Sequence, residues 1–312
     1  MSMLTSFKSA IKKLPILHKS ISELNKLRLE LVALKKNRGF VPPGHFYSPI
    51  PSLDEIRRDE SQIFGSVPRN ILGLELYESE QLDLLEQFVA YYEEMPFQAH
   101  KIEGLRYYFE NPAYSYSDAI LLYCMIRSLK PKRIIEVGSG FSSCVTLDTN
   151  ELFFGGSIMT TFIDPYPELL MSLVKEMDKN KIKTIPSRLQ DVDLGEFERL
   201  EAHDILFIDS THVSKIHSDV NRIFFDILPC LSPGVHIHFH DIFFPFEYPM
   251  DWVYEGRAWN EAYMLRTFLQ YNSTFRIVLM NTFMEHFHEP FFKEKMPLCL
   301  NNPGGSIWIR KR

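Results

Sequence analysis

The chain has 312 residues, of which 45% are hydrophobic and 24% charged, the composition of an ordinary globular protein. Its length allows one large α/β domain with extra elements, or two modest domains. No apolar stretch approaches the roughly 18 residues of a membrane span, and the N-terminus lacks the apolar run of a secretory signal. We therefore expect a cytoplasmic protein.

Charge is distributed unevenly along the chain. The first 40 residues contain nine Lys or Arg residues and two Glu residues, whereas the whole chain has a net charge of −6. The remainder is therefore strongly acidic, which argues against a nucleic-acid partner and favours a small molecule, a sugar or a lipid. The four cysteines are widely spaced with no CxxC pair, so we expect reduced thiols and no zinc cluster.

Residues 1–40 are predicted to form a basic amphipathic helical extension. Ser20 and Glu23 fit a capping box at its start, and four leucines then recur at helical spacing: Leu24, Leu27, Leu31 and Leu34. Three interpretations stay open for this helix. It packs on its own domain, contacts a partner such as a second copy of the chain, or lies on an anionic membrane surface.

Residues 41–113 are predicted to form a proline-rich connector followed by a helical cap. Five prolines fall between positions 40 and 70, which favours an irregular, extended segment there. Helices are expected at 78–100 and at 117–129, the second ending before Pro131.

From residue 114 to 312 the pattern predicts an α/β domain with a Rossmann-like, doubly wound, seven-stranded sheet. The first five strands alternate with helical stretches near 143–153, 167–179 and 214–228, which implies parallel strands joined by right-handed crossovers. The last two strands are separated by 25 residues without a strong helical period, which suits an antiparallel finish. The predicted strands are 133–137, 158–164, 183–186, 205–209, 235–240, 275–280 and 306–310.

The most informative motif is an apolar strand that ends in a glycine turn and opens a helix. It contains Glu136, Gly138, Ser139 and Gly140. Glycines at such a turn allow a tight bend and a close approach of ligand to backbone. Ser143 stands where a pyrophosphate-binding loop normally has a third glycine, so the motif suits a nucleoside better.

Two further strands are followed by groups that could read a nucleoside. Asp164, 24 residues beyond Gly140, stands where an acidic side chain can accept both ribose hydroxyls. Gln190 and Asp191 follow the weakly marked third strand, where a polar group could contact the adenine amine. Together these motifs resemble class I S-adenosylmethionine-dependent methyltransferases over about residues 114–312. The resemblance implies that Glu136 and the glycine turn line the cofactor, with Asp164 on the ribose.

The fourth and fifth strands end in residues suited to chemistry, Asp209 with His212 and His240 with Asp241. A hydroxyl acceptor is a poor nucleophile until it loses its proton, which a histidine base or a divalent metal can assist. The pattern resembles sugar and polyketide O-methyltransferases, several of which use magnesium. The resemblance implies that Asp209, also beside the cofactor, and Asp241 are metal ligands, and that His212 is the base. No third carboxylate ligand is identified.

His240 is the second catalytic candidate, because it lies far enough along its strand to reach the cleft. His236 and His238 share its face of the strand and are interpreted as core histidines. Substrate contacts are predicted from the aromatic insertion after the fifth strand, where rings with polar neighbours suit a sugar or an internally packed lid equally. The substrate candidates in this insertion are Arg257, Trp259 and Asn260. Tyr116 is a further candidate from the segment 111–117, which leads into the helix before the first strand and is expected to close over the cofactor.

The main hypothesis is therefore an O-methyltransferase that moves a methyl group from S-adenosylmethionine to a hydroxyl of a sugar, glycan or natural product. Magnesium is a candidate second cofactor. Two alternatives remain at this stage, an NAD(P)-dependent oxidoreductase and a nucleoside-binding scaffold without catalysis.

Overall fold

A computed structural model describes residues 15–36 and 39–312, with side chains at 19–29 and from 39 onward. Its contacts divide the chain between Gly65 and Ser66 into two compact units. The boundaries predicted at residues 40 and 113 stay predictions, as does the contact of residues 1–40 with a membrane or a second chain.

The first unit contains two described helices, α1 (Pro15–Lys36) and α2 (Leu53–Phe64). Ser20 lies inside α1, so the capping box predicted there is wrong. Leu24 and Leu27 are exposed on α1, and the side chains of Leu31 and Leu34 lie outside the described residues.

Helix α2 corrects the prediction of an irregular connector over residues 40–70. Ser52 caps the helix by accepting a hydrogen bond from the backbone N–H of Glu55, and acidic residues fill the first turn. The prolines lie outside the helix on both sides, so they limit its ends without preventing it.

The second unit is built on a seven-stranded sheet, as predicted. Strand bounds agree with the prediction to within two residues at each end. The strands are β1 (Arg133–Val137), β2 (Met159–Ile163), β3 (Lys183–Ile185), β4 (Ile205–Ile208), β5 (His236–His240), β6 (Phe275–Met280) and β7 (Ser306–Lys311).

The spatial order of the strands is β3-β2-β1-β4-β5-β7-β6. The first five strands are parallel, and β7 pairs antiparallel with both β5 and β6. The chain therefore winds outward in opposite directions from β1 and β4. In an open parallel sheet, ligands bind beyond the carboxyl ends of the strands at such a reversal point.

Helices connect the strands and form the cap before β1. They are α3 (Glu78–Glu93), α4 (Tyr116–Leu129), α5 (Phe141–Phe154), α6 (Glu168–Leu173), α7 (Gly195–Glu198), α8 (Asp219–Arg222), α9 (Leu228–Cys230), α10 (Met250–Tyr254), α11 (Glu261–Leu269), α12 (Asn281–Phe287) and α13 (Glu289–Lys295). A π-helical turn, Ile223–Ile227, joins α8 to α9, and short 3-10 turns lie at Glu176–Asp178, Leu189–Asp191 and Pro297–Asn301.

Several of these helices differ from the prediction. Helix α6 ends at Leu173 instead of residue 179, and α8 begins at Asp219 instead of residue 214. Helix α3 ends at Glu93 instead of residue 100, because Pro96 excludes the helical conformation just before it. The stretch between β6 and β7, predicted without helical period, contains α12 and α13. Each of these two helices has only seven residues, too few to produce a clear period.

The main core of this unit is an apolar cluster that includes the cap as well as the sheet, and a small second cluster contains Leu147, Phe162 and Leu170. Helix α4 is almost entirely buried and packs against both α3 and α5. The four cysteines carry free thiols, with Cys230 partly exposed and the others buried. Across residues 15–36 and 39–312, no helix has the length and apolar character to span a bilayer.

Candidate functional site

The carboxyl ends of β1, β2 and β4 meet at the reversal point of the sheet. The backbone N–H of Gly138 donates to the carbonyl of Ile163 at 3.0 Å, and the N–H of Asp209 donates to the carbonyl of Val137 at 2.9 Å. The residues that follow these three strands therefore lie side by side.

A cleft of about 540 Å³ opens at this place. Five of the eight predicted cofactor residues line it, and the first four are Gly138, Ser139, Asp164 and Gln190, whereas Glu136, Gly140 and Asp191 are not among the lining residues. Asp209 also lines it, from the end of β4. The remaining lining residues are Val137, Ile163, Pro165, Tyr166, Arg188, Leu189, Ser210, Thr211 and Asp219.

Gly138 is required by close packing between two strand ends. Its φ is +81°, in the left-handed region that favours glycine. A Cβ atom here would lie 2.0 Å from the carbonyl oxygen of Asp209. The glycine therefore lets the turn and the end of β4 touch.

Glu136 lies beneath the turn as a fully buried carboxylate. Its Oε1 atom accepts hydrogen bonds from the hydroxyls of Ser142 at 2.6 Å and Ser143 at 2.9 Å. The Ser143 hydroxyl also accepts from the N–H of Gly140 at 3.0 Å, so the serine in place of a third glycine ties the turn to the helix. Burial raises the pKa of Glu136 to about 8, against the opposing effect of both serines.

Asp164 is partly buried at the edge of the cleft. Its Oδ2 atom accepts from the N–H of Ser139 at 3.1 Å and from the Ser139 hydroxyl at 2.8 Å. Its Oδ1 atom accepts from the N–H of Tyr166 at 2.8 Å. The carboxylate is thereby held at the position predicted for a ribose contact.

The two adenine candidates have different surroundings. Gln190 lines the cleft and donates from Nε2 to the carbonyl of His217 at 2.9 Å. Asp191 is exposed and accepts from Arg188 at 2.8 Å and 3.0 Å. Gln190 is therefore the better placed of the two.

A second cluster lies where β4 and β5 end. His212 Nε2 is 3.3 Å from Asp209 Oδ1 and 3.5 Å from Asp241 Oδ2. The three potential ligand atoms all lie within 4.8 Å of one another. The structure thus brings together the three residues for which metal binding and proton transfer are predicted.

The opposite side of the His212 ring contacts Glu261, the first residue of α11. Nδ1 of His212 and Oε2 of Glu261 are 2.9 Å apart, and both side chains are buried. Burial acts to lower the pKa of His212, but hydrogen bonds with Asp209 and Glu261 raise it to about 10.

The loop that carries His212 is held by backbone contacts. Its φ is +59°, and its carbonyl accepts from the N–H groups of Asn260 and Glu261, each at 3.1 Å. The Asn260 amide accepts from the N–H of Ser214 at 2.6 Å and donates to its carbonyl at 3.2 Å. Asn260 thus positions the loop, and its predicted substrate contact remains a prediction.

Two other predicted substrate residues, Trp259 and Arg257, lie in the aromatic insertion after β5. The Trp259 ring contacts the His212 ring, with centroids 4.4 Å apart. Arg257 lies over Trp252 at 4.1 Å and pairs with Glu255 at 3.0 Å.

Tyr116, the fourth substrate candidate, is the first residue of α4. Its ring stacks on Phe109 at 4.7 Å and its hydroxyl donates to Glu110 at 2.5 Å. Its substrate role also remains a prediction.

His240 lies at the end of β5 with Nε2 3.6 Å from Asp241 Oδ1. Its ring is 5.2 Å from that of Tyr114, and its Nδ1 has no hydrogen-bond partner among the described residues. His236 and His238 are buried, and burial lowers the pKa of both.

Sequence reasoning missed Glu261 and Tyr114 as members of the site. Glu261 is 49 positions from His212, and no local pattern links the two. Tyr114 is only two residues from the candidate Tyr116, on the segment already expected to close over the cofactor. Its hydroxyl donates to the carbonyl of Asp118 at 3.1 Å.

Comparison with known proteins identifies a domain within the second unit. Residues 135–242 match a family model described as a methyltransferase domain. An uncharacterized protein from Archaeoglobus fulgidus is 39% identical over 170 residues, which cover 53% of this chain and 75% of that protein.

Similar solved structures include the SAH-bound methyltransferase PaMTH1 from Podospora anserina, with 15% identity, a TM-score of 0.42 and coverage of 88% of this chain and 100% of that one. Another is the O-methyltransferase TomG from Streptomyces achromogenes in complex with SAM, with 14% identity, a TM-score of 0.42 and coverage of 82% and 96%. The chain therefore contains a methyltransferase domain, and its seven-stranded order agrees with the Rossmann-like fold expected from the sequence.

Proposed function

We propose that the protein transfers a methyl group from S-adenosylmethionine to a hydroxyl of a sugar, glycan or related natural product. The observation that carries this proposal is the shared position of the cleft and the Asp209, His212 and Asp241 cluster. Asp209 belongs to both, so a methyl donor in the cleft would have its reactive end beside groups that can activate a hydroxyl.

The cofactor's nucleoside is proposed to occupy the cleft. Asp164 would accept from the ribose hydroxyls and Gln190 would contact the adenine. The turn around Ser139 and Gly140, above Glu136, would face the methionine portion. The polar contacts described above hold Asp164 and Glu136 in place before any ligand arrives.

In the transfer itself, the bond from sulfur to the methyl carbon breaks as the bond from the acceptor oxygen to that carbon forms. The acceptor must lose its proton and lie in line with the breaking bond. His212 accepts this proton at Nε2, the atom that faces Asp209 and Asp241. A divalent cation at these carboxylates, with magnesium the first ion to test, would lower the pKa of the acceptor hydroxyl.

The aromatic insertion supplies the proposed acceptor site. Trp259 lies against His212, and Arg257 with Trp252 forms a cation–π contact beside it. Flat apolar rings next to polar side chains suit a sugar, which has apolar faces and hydroxyl edges.

Calorimetric titration with S-adenosylhomocysteine and with NAD tests the cofactor. We expect S-adenosylhomocysteine to bind and NAD to fail; the reverse would establish the oxidoreductase alternative. Transfer of labelled methyl groups to a panel of hydroxyl acceptors, with and without magnesium and a chelator, then tests the reaction. Cofactor binding without transfer to any acceptor would favour the non-catalytic scaffold.

A further inference from the structure

Helix α1 carries a row of leucines that follows a seven-residue repeat. When Leu24 is given the first position of the heptad, a, the a positions are 17, 24 and 31, and the d positions are 20, 27 and 34. Leucine occupies five of these six positions, and Ser20 occupies the sixth. Apolar residues at a and d over about three heptads are typical of a coiled coil, in which two helices pack along this row. We call the row the leucine seam.

The described part of the leucine seam is open to solvent. The side chains of Leu24 and Leu27 are 64% and 61% exposed, and every side chain from residue 19 to 29 is exposed. A helix in water gains most of its stability from the packing of an apolar face. Within residues 19–29 this chain does not provide that packing, so the seam is suited to a partner.

The charged residues beside the seam favour a second copy of this chain as the partner. Glu23 holds position g of its heptad and Arg28 holds position e of the next, and both side chains are exposed. The sequence repeats the same pair seven residues later, as Glu30 and Lys35. In a parallel coiled coil, a residue at g faces the residue at e of the following heptad on the other helix. Both glutamates therefore stand opposite a basic residue of the other copy.

The same charges disfavour the other arrangements. In an antiparallel pair, g faces g and e faces e, so glutamate would oppose glutamate and Arg28 would oppose a basic residue. An anionic membrane attracts Lys and Arg on the polar face of a helix. It would repel Glu23 and Glu30, which flank the leucines.

We propose that α1 pairs with α1 of a second copy of this chain in a parallel, two-stranded coiled coil. Leu24 and Leu27 lie in its seam, and Glu23 pairs with Arg28 of the partner subunit. Three heptads with the polar Ser20 at a d position form a weak coiled coil, so the dimer should depend on protein concentration.

This pairing is independent of the proposed function. Helix α1 belongs to the first compact unit, whereas all lining residues of the cleft belong to the second. Monomer and dimer should therefore bind S-adenosylhomocysteine alike, and failure of either proposal leaves the other intact.

Sedimentation velocity of the full chain, from low micromolar to submillimolar concentration, tests the dimer. We expect the mean sedimentation coefficient to rise with concentration from the monomer value to the dimer value. A chain that stays monomeric throughout this range would overturn the inference.

Three leucine variants test the seam. Leu24→Glu and Leu27→Glu should each raise the dissociation constant of the dimer about a hundredfold or more, because each dimer loses two buried leucines. Leu29→Glu is the matched control, since Leu29 is 71% exposed but holds position f, which faces away from the seam. It should sediment like the parent. Equal weakening at all three positions, or a dimer that Leu24→Glu and Leu27→Glu leave unchanged, would refute the seam.

A charge exchange tests the parallel orientation. Glu23→Lys and Arg28→Glu each place two like-charged pairs beside the seam and should weaken the dimer roughly threefold to tenfold. The double variant restores opposite charges and should recover the parental dissociation constant. A double variant no better than the single ones would refute the parallel pairing.

Cross-linking tests the orientation without relying on charge. Ser20→Cys should form a disulfide-linked dimer in air, because d positions of two parallel helices face each other. Ser22→Cys, at the outward position f, is its control and should remain reduced. Equal cross-linking of the two variants would contradict the proposed register.

Flotation with vesicles of phosphatidylcholine and phosphatidylserine tests the membrane alternative. We expect the protein to stay in solution, with or without the Leu24→Glu substitution. A monomeric chain that floats with the vesicles, and loses this binding in Leu24→Glu, would show that the seam faces lipid and would overturn the inference.

Discussion

At the scale of single residues, Gly138 lies against the end of β4 with no space for a side chain. Gly138→Ala should destabilise the protein by several kcal/mol and abolish S-adenosylhomocysteine binding, because the new Cβ would lie 2.0 Å from a backbone oxygen. Thermal unfolding and calorimetry measure the two effects.

Gly156→Ala is the matched control, since Gly156 has a φ of +77° with open space around it. It should cost only the left-handed strain, about 1–2 kcal/mol. Equal losses of stability for the two variants would mean that the left-handed conformation, and not the contact with Asp209, explains why position 138 requires glycine.

Asp164 and Asp191 are both predicted from sequence to contact the nucleoside, but only Asp164 lines the cleft. Asp164→Asn removes the charge that Ser139 holds at the cleft. It should weaken S-adenosylhomocysteine binding about tenfold to a hundredfold, the equivalent of about 1.5–3 kcal/mol.

Asp191→Asn provides the comparison, because Asp191 pairs with Arg188 at the surface. Its affinity for the nucleoside should match that of the parent protein in the same calorimetric assay. Unchanged affinity for Asp164→Asn would contradict the ribose contact, and a loss for Asp191→Asn would restore that residue as a candidate.

At the scale of elements, Arg106 joins the segment before α4 to α5 and to the turn before β3. The Arg106 side chain is 3% exposed and contacts Asp148 at 2.6 Å and Asp178 at 2.5 Å. Arg106→Met should destabilise the fold by about 3–5 kcal/mol, because it removes the charged partner of two buried carboxylates, which keep only backbone N–H donors.

Denaturant unfolding measures this effect, with Arg188→Met as the control. Arg188 forms an exposed pair with Asp191, which contributes about 0–1 kcal/mol. If the two variants lost equal stability, the network around Arg106 would not join these elements.

Helices and strands were predictable from sequence where the pattern of apolar residues was clear. The strands β1 and β6 have the predicted bounds, since short apolar runs between turn signals are strong patterns. Helix α2 was not predicted because the nearby prolines favour an irregular segment, although Ser52 with Asp54 and Glu55 is a local signal for the start of a helix.

The candidate site was predictable where it follows strand ends and unpredictable where it depends on tertiary contacts. Topology alone places Gly138, Asp164 and Asp209 at one edge of the sheet. The contact of Glu261 with His212 depends on how the insertion after β5 folds back, and no sequence period records that path.

At the scale of the whole molecule, stability should depend on pH through buried glutamates. Burial raises the pKa of Glu285 from 4.5 to about 7. Between these values Glu285 binds more protons in the folded state than in the unfolded chain, so its contribution to the free energy of unfolding falls as pH rises and levels off above pH 7. The contribution is of the order of 3 kcal/mol.

Glu285→Gln should remove this part of the pH dependence. Its stability relative to the parent should increase between about pH 4.5 and 7 in urea unfolding, while Glu103→Gln, at an exposed position, should follow the parent curve. Parallel curves for Glu285→Gln and the parent would contradict the raised pKa.

The cleft and the core that supports it define the part of the chain that cofactor binding requires. All lining residues of the cleft, the metal cluster and the main apolar core lie within residues 66–312. A fragment of residues 66–312 should therefore fold and bind S-adenosylhomocysteine with the affinity of the full chain.

A fragment of residues 114–312, which begins at the boundary predicted from sequence, should fail the same assay. It lacks Leu85, Phe88 and Tyr107, all fully buried in the core, as well as Arg106. Their loss would expose an apolar face of α4 and leave Asp148 and Asp178 unpaired, at a cost comparable to the 5–15 kcal/mol that stabilises a typical domain. Circular dichroism and calorimetry on both fragments decide the matter. A folded, nucleoside-binding fragment of 114–312 would show that the cap is an accessory, whereas an unfolded fragment of 66–312 would show that the first unit is needed for stability.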